Sequence, residues 1–345
     1  MNRVVFASLT ILCLLSVSSI TGLIQVVKAD GGTIYIRADG SIEPPTAHIY
    51  TADNITYTLT GNITANADGI VVERDNIVLN GAGYTVTGIL SGNGTTLTNR
   101  SNVTVRNMTI TNFYVGIGLS SSSSNVLSGN NVMANNWVGI EVESSSNNIL
   151  SGNNAVGNYD GIYLDSSFNN TLSGNNAANN WIGIELRSSS DNTLSGNNAA
   201  NGDYGIYLFS SNNNFIFHNN FVNNPAYTAG SVNIWDDGSR GNYWSDYLTK
   251  HPNAAEVHSS GVWNRPYVID TNNIDHYPLM VPYIIPEFPS IQATMFFMLL
   301  TLLTVIIYKK KGVKTSQSQT EPRENAITNH PSKRKLILNL HYNRR

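Results

Sequence analysis

Between Gly116 and Asn224 a set of carboxylates and aromatic rings returns every 22 or 23 residues. One column reads Gly118, Glu141, Tyr163, Glu185, Tyr207, and a second reads Ser120, Glu143, Asp165, Arg187, Phe209. A column of rings runs beside them through Tyr114, Trp137, Tyr159 and Trp181, continued one place later by Tyr204. Rings flanked by carboxylates are what a sugar requires, because apolar sugar faces stack on aromatics and hydroxyls bond to carboxylates. Trp137, Tyr159, Trp181, Tyr163, Tyr207, Glu141, Glu185 and Arg187 are therefore the carbohydrate-binding candidates. The same residues also have a structural use, since cross-strand pairs of aromatic or opposite-charge type add ~0.2–1 kcal/mol each.

If the strip were catalytic, Glu141 and Glu185 would be the pair to examine. They are two repeats apart, a backbone separation of roughly 9–10 Å, near that of an inverting glycosidase pair. Glu143 and Asp165, one repeat apart, could share a proton or hold calcium. A lyase needs a tight acidic calcium cluster with a basic residue close by, and thinly spread carboxylates with one arginine match that poorly. Outside the strip, Asp236, Asp237, Asp246, Asp270 and Asp275 could bind calcium but suit turns and capping better. His218, His251, His258 and His276 do not converge in sequence. No cofactor is implied beyond possible calcium. Asn-x-Ser/Thr acceptors stand at Asn54, Asn62, Asn93, Asn99, Asn102, Asn107 and Asn169, candidates for glycosylation in an exported protein.

The elements that must position these columns follow from the same repeat. Gly116, Gly139, Gly161, Gly183 and Gly205 each open a phrase such as GIEV or GIYL, and eleven residues later Leu127, Leu150, Leu172, Leu194 and Ile216 enter an Asn-rich turn. Alternation turns the first and third residues after each glycine inward. Val132, Ala155, Ala177 and Ala199 mark a third wall, giving way to Phe221. A unit this short cannot bury a face alone, so the units must stack. A leucine-rich horseshoe would show a helix or a Leu-x-x-Leu-x-Leu framework, and neither is present. Three short strands per turn give an all-β parallel β-helix, predicted to start near residue 50 and to have seven to eight coils. Asn130, Asn153, Asn175, Asn197 and Asn219, with the asparagine after each, are predicted to stack amide on amide every ~4.8 Å.

The charge is divided along the chain. Residues 309–345 hold ten Lys or Arg against two Glu, whereas residues 30–308 hold eight against 21 Asp or Glu. An acidic body argues against nucleic-acid binding, and the division fits a membrane between the two parts. Residues 1–29 read as a secretory signal peptide, with the single cysteine, Cys13, inside its apolar run. The body then divides into a β-helix over 30–225 and an aromatic-rich cap over 226–285. Residues 286–308 hold Glu287-Phe288-Pro289 and an uncharged run, Ile291 to Tyr308, long enough to span a bilayer. A basic cytoplasmic tail, 309–345, follows.

The coil phrases, followed by Trp235-Asp236-Asp237-Gly238, Gly241-Asn242-Tyr243-Trp244, Pro266-Tyr267-Val268-Ile269-Asp270 and Asp275-His276-Tyr277-Pro278, resemble the NosD-type right-handed parallel β-helix proteins of archaeal and bacterial cell surfaces. Glu287-Phe288-Pro289 before an apolar run and a lysine cluster is similar to a PEF-type sorting signal. The resemblance implies the fold strongly and an activity weakly, because the fold is shared with sugar-binding and sugar-cleaving proteins. Its name-giving member serves copper-site assembly, and no copper-handling motif is recognisable in this sequence. The expectation is an exported, membrane-anchored surface protein, structural or carbohydrate-binding within the envelope. The alternatives are a polysaccharide hydrolase or lyase acting on the outer face, and an adhesion or surface-layer-associated module that binds proteins.

Overall fold

β-branched and aliphatic residues alternating with Asn, Ser and Gly turns suit short strands that stack in register. A computed structural model describes residues 31–284 and shows this arrangement. The outward columns lie on one long sheet. Its parallel rungs are Ile34–Ile36, Ile70–Val72, Asn93–Thr98, Val115–Ser120, Val138–Glu143, Asp160–Asp165, Ile182–Arg187, Tyr204–Phe209 and Ala226–Ala229. This first face is closed at its N-terminal edge by the antiparallel strand Ile42–Glu43. A second face stacks Val126–Ser128, Ile149–Ser151, Thr171–Ser173, Thr193–Ser195 and their equivalents. A third stacks Asn131–Met133 on Asn154–Val156, then passes through Asn176 to Asn198–Ala200.

Nine parallel rungs on the first face make nine turns, where the sequence repeat suggested seven to eight. The additional turns lack the glycine phrase. At the start, Ile34–Ile36 pairs directly with Ile70–Val72, although a 36-residue excursion separates Ile34 from Ile70. At the other end the repeat stops at Asn224-Pro225, yet Ala226–Ala229 adds a ninth rung and Tyr243–Trp244 pairs with the strand Asn220–Val222.

The inward columns form one continuous core. Ile117, Ile140, Ile162, Ile184 and Ile206 align in register and are buried, as are Leu127, Leu150, Leu172, Leu194 and Ile216. The third wall is Val132, Ala155, Ala177, Ala199 and Phe221, all buried. Here the phrase-opening glycines have a steric reason. A Cβ at Gly161 would lie 2.6 Å from the Gly183 carbonyl oxygen and 3.0 Å from the Ala177 Cβ. Only glycine allows adjacent coils to approach so closely.

The corners hold the polar half of the interior. Asn130, Asn153, Asn175, Asn197, Asn219 and Asn242 form one buried ladder, each Nδ2 donating to the next Oδ1 at 2.9–3.0 Å. Each Asn Oδ1 also accepts the backbone N–H of the preceding rung's asparagine, as Asn175 Oδ1 does from Asn153 at 3.0 Å. A second ladder, Asn125, Asn148, Asn170, Asn192, Asn214 and Asn233, stands at another corner with spacings of 2.9–3.1 Å. The asparagines after those of the first ladder, Asn131, Asn154, Asn176 and Asn198, make a separate half-buried ladder outside the core. Because the amides of these two buried ladders are hydrogen-bonded along the stack, those corners avoid the cost of unpaired polar atoms.

The C-terminal end is covered by stacked rings. Phe221 packs on Trp244 at 4.6 Å, and Trp244 on Tyr267 at 4.2 Å. Asp275 is fully buried beneath them and accepts hydrogen bonds from Asn242 N, Trp244 Nε1 and Tyr277 N. A single helical turn, α1 (Tyr247–Lys250), lies in this cap. Among the described residues no helix is long and apolar enough to cross a membrane. The proposed signal peptide, the span Ile291–Tyr308 and the basic tail lie outside the described residues.

Candidate functional site

The two outward columns are in strict register across the first face. Gly118, Glu141, Tyr163, Glu185, Tyr207 and Tyr227 are successive partners, and so are Ser120, Glu143, Asp165, Arg187, Phe209 and Ala229. The spacing therefore places Glu141 and Glu185 two coils apart with Tyr163 between them. It does not leave all of these side chains open to water. Glu185 is only 2% exposed, contrary to its expected place on the solvent side, because large neighbours one coil away close over it. Glu141, Tyr163 and Tyr207 are half-buried, and Glu143 is exposed. Burial first, then the charges of Glu143 and Asp165, push the Glu141 carboxyl upward. Burial does the same for the Tyr163 and Tyr207 hydroxyls.

Glu185 is covered because it joins a polar column that runs to the surface. Asp160, one residue before Gly161, pairs in register with Ile182 and is 1% exposed. Its carboxyl lies close to that of Glu185, and burial followed by the Glu185 charge pushes it up to about 8. Burial beside a second carboxyl thus favours the neutral form of Asp160. Glu185 Oε1 accepts a hydrogen bond from Arg187 Nε at 2.5 Å, and this pairing in turn holds the guanidinium above its ordinary value. The Arg187 side chain is 49% exposed, with its guanidinium carbon 5.9 Å from the centre of the Tyr207 ring. Asp160 is the residue that sequence reasoning missed. Its signal was available in the column Val115, Val138, Asp160, Ile182, Tyr204, where one carboxylate replaces an apolar residue.

The rings divide into two groups. Tyr114, Trp137 and Tyr159 stack in turn, with centroids 6.4 and 4.5 Å apart, and Trp181 meets Tyr159 at 4.5 Å with its plane tilted by 55°. The inner rings of this column have their faces covered by neighbours and present edges outward. Its last member, Trp181, donates Nε1 to Asp203 Oδ2. Further along, Tyr207 stacks on Tyr227 at 4.5 Å, and Tyr204 meets both edge-on at 5.5 and 5.8 Å. Phe209 lies beside Arg187 in register, is 47% exposed, and makes no ring contact among the described residues. Phe209 is thus an open ring on this strip, a position absent from the sequence-based candidates, while Tyr114 and Trp181 are the exposed end members of the other column.

The other candidates are engaged elsewhere. Asp236 accepts from Gly238 N and from both His276 N and Nδ1, at 3.0–3.1 Å. Burial raises the Asp237 carboxyl, but hydrogen bonds from Ser239 and Arg240 outweigh it and bring it below its ordinary value. Asp246 takes the Tyr267 hydroxyl at 3.0 Å and Lys250 Nζ at 3.1 Å. Of the acceptor asparagines, Asn54, Asn62, Asn99, Asn102, Asn107 and Asn169 are exposed and Asn93 is half-buried. Asn54, Asn99, Asn102, Asn107 and Asn169 sit at left-handed turn positions, with φ between 54° and 56°.

Stacked parallel rungs, buried corner ladders and a polar outward strip define a parallel β-helix. The chain belongs to the family described as periplasmic copper-binding protein (NosD), which it matches over residues 62–249. No curated protein matches it. Among solved structures, a periplasmic alginate epimerase AlgG is similar at 17% identity and a TM-score of 0.42, covering 55% of this chain and 65% of that one. The A-module of the Azotobacter vinelandii mannuronan C-5 epimerase AlgE4 is similar at 15% identity and a TM-score of 0.37, covering 50% and 55%. An alginate lyase from Paenibacillus is similar at 14% identity and a TM-score of 0.32, covering 61% and 97%. The chain spans less than two thirds of the two epimerase structures.

The family description raises the question of copper, which favours imidazole and sulfur donors. Among the described residues no group of three or more His, Cys, Asp or Glu could hold a metal ion. His218 stacks on Tyr283 at 4.4 Å and faces Asp237, while His276 bonds to Asp236. The Met108 sulfur is buried in the core, and the Met133 sulfur accepts a contact from Asn131. These donors are dispersed, so the described residues do not fit a copper ion.

Proposed function

We propose that this chain is an exported envelope protein that binds carbohydrate on the outer side of its first face, at the C-terminal coils. The observation that carries this reading is the exposed ring face of Phe209, set beside the Tyr204, Tyr207 and Tyr227 cluster and next to the Arg187 guanidinium. A flat apolar face bordered by hydrogen-bonding groups suits a sugar ring. The rigid solenoid beneath holds that face in place. Export is supported by the apolar N-terminal segment and by the periplasmic setting in the family's description. Anchoring through residues 291–308 is supported by their uncharged composition and the lysines that follow.

Binding fits the strip better than cleavage does. A general acid or nucleophile must reach the glycosidic bond. Glu185 is buried and bonded to Arg187 Nε, so it is held away from a ligand on the surface. The test is a glycan array with the full-length chain in detergent, its β-sheet content checked by circular dichroism. Retention of at least one envelope or plant polysaccharide supports the reading, and retention of none by a folded protein sinks it.

A further inference from the structure

Within the two outward columns of the regular coils, Arg187 is the single cation, and its placement is constrained from below. Glu185 holds its Nε, and Glu185 and the neighbouring Asp160 are both buried. No hydrogen bond from Nη1 or Nη2 to the protein is found among the described residues. The guanidinium is therefore tethered by one edge, with its terminal nitrogens left for a partner outside the protein. Such a fork matches the two coplanar oxygens of a carboxylate.

The surroundings give the site a direction. Asp165 is the neighbour of Arg187 on the N-terminal side, with Glu143 one coil further, whereas Phe209 is the neighbour on the C-terminal side. Phe209, Tyr207 and Tyr227 carry no charge. An acidic sugar can thus put its ring over Phe209 and its carboxylate on Arg187 only by extending toward the C-terminal coils, away from the acids.

Resting on the carbohydrate-binding reading above, we propose that Arg187 is a carboxylate subsite and that the ligand is a uronic-acid-containing polysaccharide. Asp160 and Glu185 serve as positioning residues that aim the guanidinium. Glu143 and Asp165 repel a second carboxylate on the N-terminal side, and so set the register of the bound chain.

Calorimetric titration of the full-length protein with a polyuronate and with the same polymer after reduction of its carboxyl groups tests this. The wild-type protein is expected to bind the acidic polymer at least about tenfold more tightly than the reduced one. Arg187→Lys keeps a cation over Glu185 but removes the fork, so it is expected to weaken binding of the acidic polymer more than that of the reduced one and so narrow the preference. Arg187→Gln is compared in parallel, with circular dichroism confirming that both variants fold. Equal wild-type affinity for the two polymers overturns the carboxylate subsite and leaves the carbohydrate reading standing. Failure of a folded protein to bind either polymer overturns the uronate assignment, and retention on the glycan array then decides the carbohydrate reading separately. Tighter binding of a sulfated polysaccharide than of the polyuronate assigns the fork to sulfate and refutes the uronate assignment.

Discussion

Asn175 and Asn176 are adjacent, chemically identical, and placed so differently that replacing each by alanine should have unequal consequences. The Asn175 side chain makes four hydrogen bonds, all at 2.9–3.0 Å: it accepts from Asn153 N and Nδ2, and donates to Leu150 O and Asn197 Oδ1. It is fully buried, so Asn175→Ala leaves two donors of Asn153 and the Leu150 carbonyl without those partners and without water. At about 1–3 kcal/mol for each buried orphan, and allowing for some relaxation, the loss is about 3–6 kcal/mol. Asn176 makes two side-chain bonds, to Asn154 and from Asn198 at 2.7 and 2.8 Å, on a half-buried ladder that water can reach. Asn176→Ala should cost about 0.5–1 kcal/mol. Urea unfolding followed by far-ultraviolet circular dichroism measures the totals. Because solenoids can unfold locally, amide exchange in Thr171–Ser173 and Thr193–Ser195 locates the damage. Equal costs for the two variants, or exchange unchanged in those strands, would refute the ladder account.

Two other perturbations address buried carboxyls. Asp160 sits at about 8 in the folded protein against an ordinary 3.8, so the folded state keeps a proton that the unfolded chain releases. Its contribution is full below pH ~4 and is lost as the pH rises toward 8, with a slope of up to about 1.4 kcal/mol per unit. Asp160→Asn keeps a donor to Glu185 without titrating, and melting temperatures from pH 5 to 8 should fall less steeply for it than for the wild type. Parallel curves would contradict the raised Asp160 carboxyl. In the cap, Asp275→Ala should strand the three N–H donors of Asn242, Trp244 and Tyr277. The expected cost is about 3–5 kcal/mol, with loss of the near-ultraviolet signal of the Trp244 and Tyr267 stack. The far-ultraviolet β signal should be retained, and an unaltered near-ultraviolet spectrum would remove Asp275 from that role.

The coil was legible because its physics is periodic. Ile140, Ile162 and Ile184 recur at one register, and the asparagines at Asn153, Asn175 and Asn197 recur with them, so a single rule places every copy. The first and last turns were not legible. Ile34–Ile36 and Ala226–Ala229 obey the same packing with different residues, and pairing between coils leaves no mark in a local pattern. The strip was legible as columns but not as contacts. Its spacing put Glu185 beside Arg187, but the burial of Glu185 near Asp160 depends on a third column, where Asp160 stands among apolar residues. The ring column Trp137, Tyr159, Trp181 had the composition of a sugar platform, whereas stacking covered the Trp137 ring between its neighbours, and the exposed Phe209 was not among the candidates.

The central claim is that a sugar binds at Phe209, and it is tested most directly by titrating Phe209→Ala and Trp137→Phe against a polysaccharide that the wild-type chain retains. Loss of one open aromatic face should weaken binding about three- to tenfold. The Trp137 ring, covered by Tyr114 and Tyr159, should tolerate replacement with no change in affinity. Unchanged affinity in Phe209→Ala, or a loss confined to Trp137→Phe, would contradict the account.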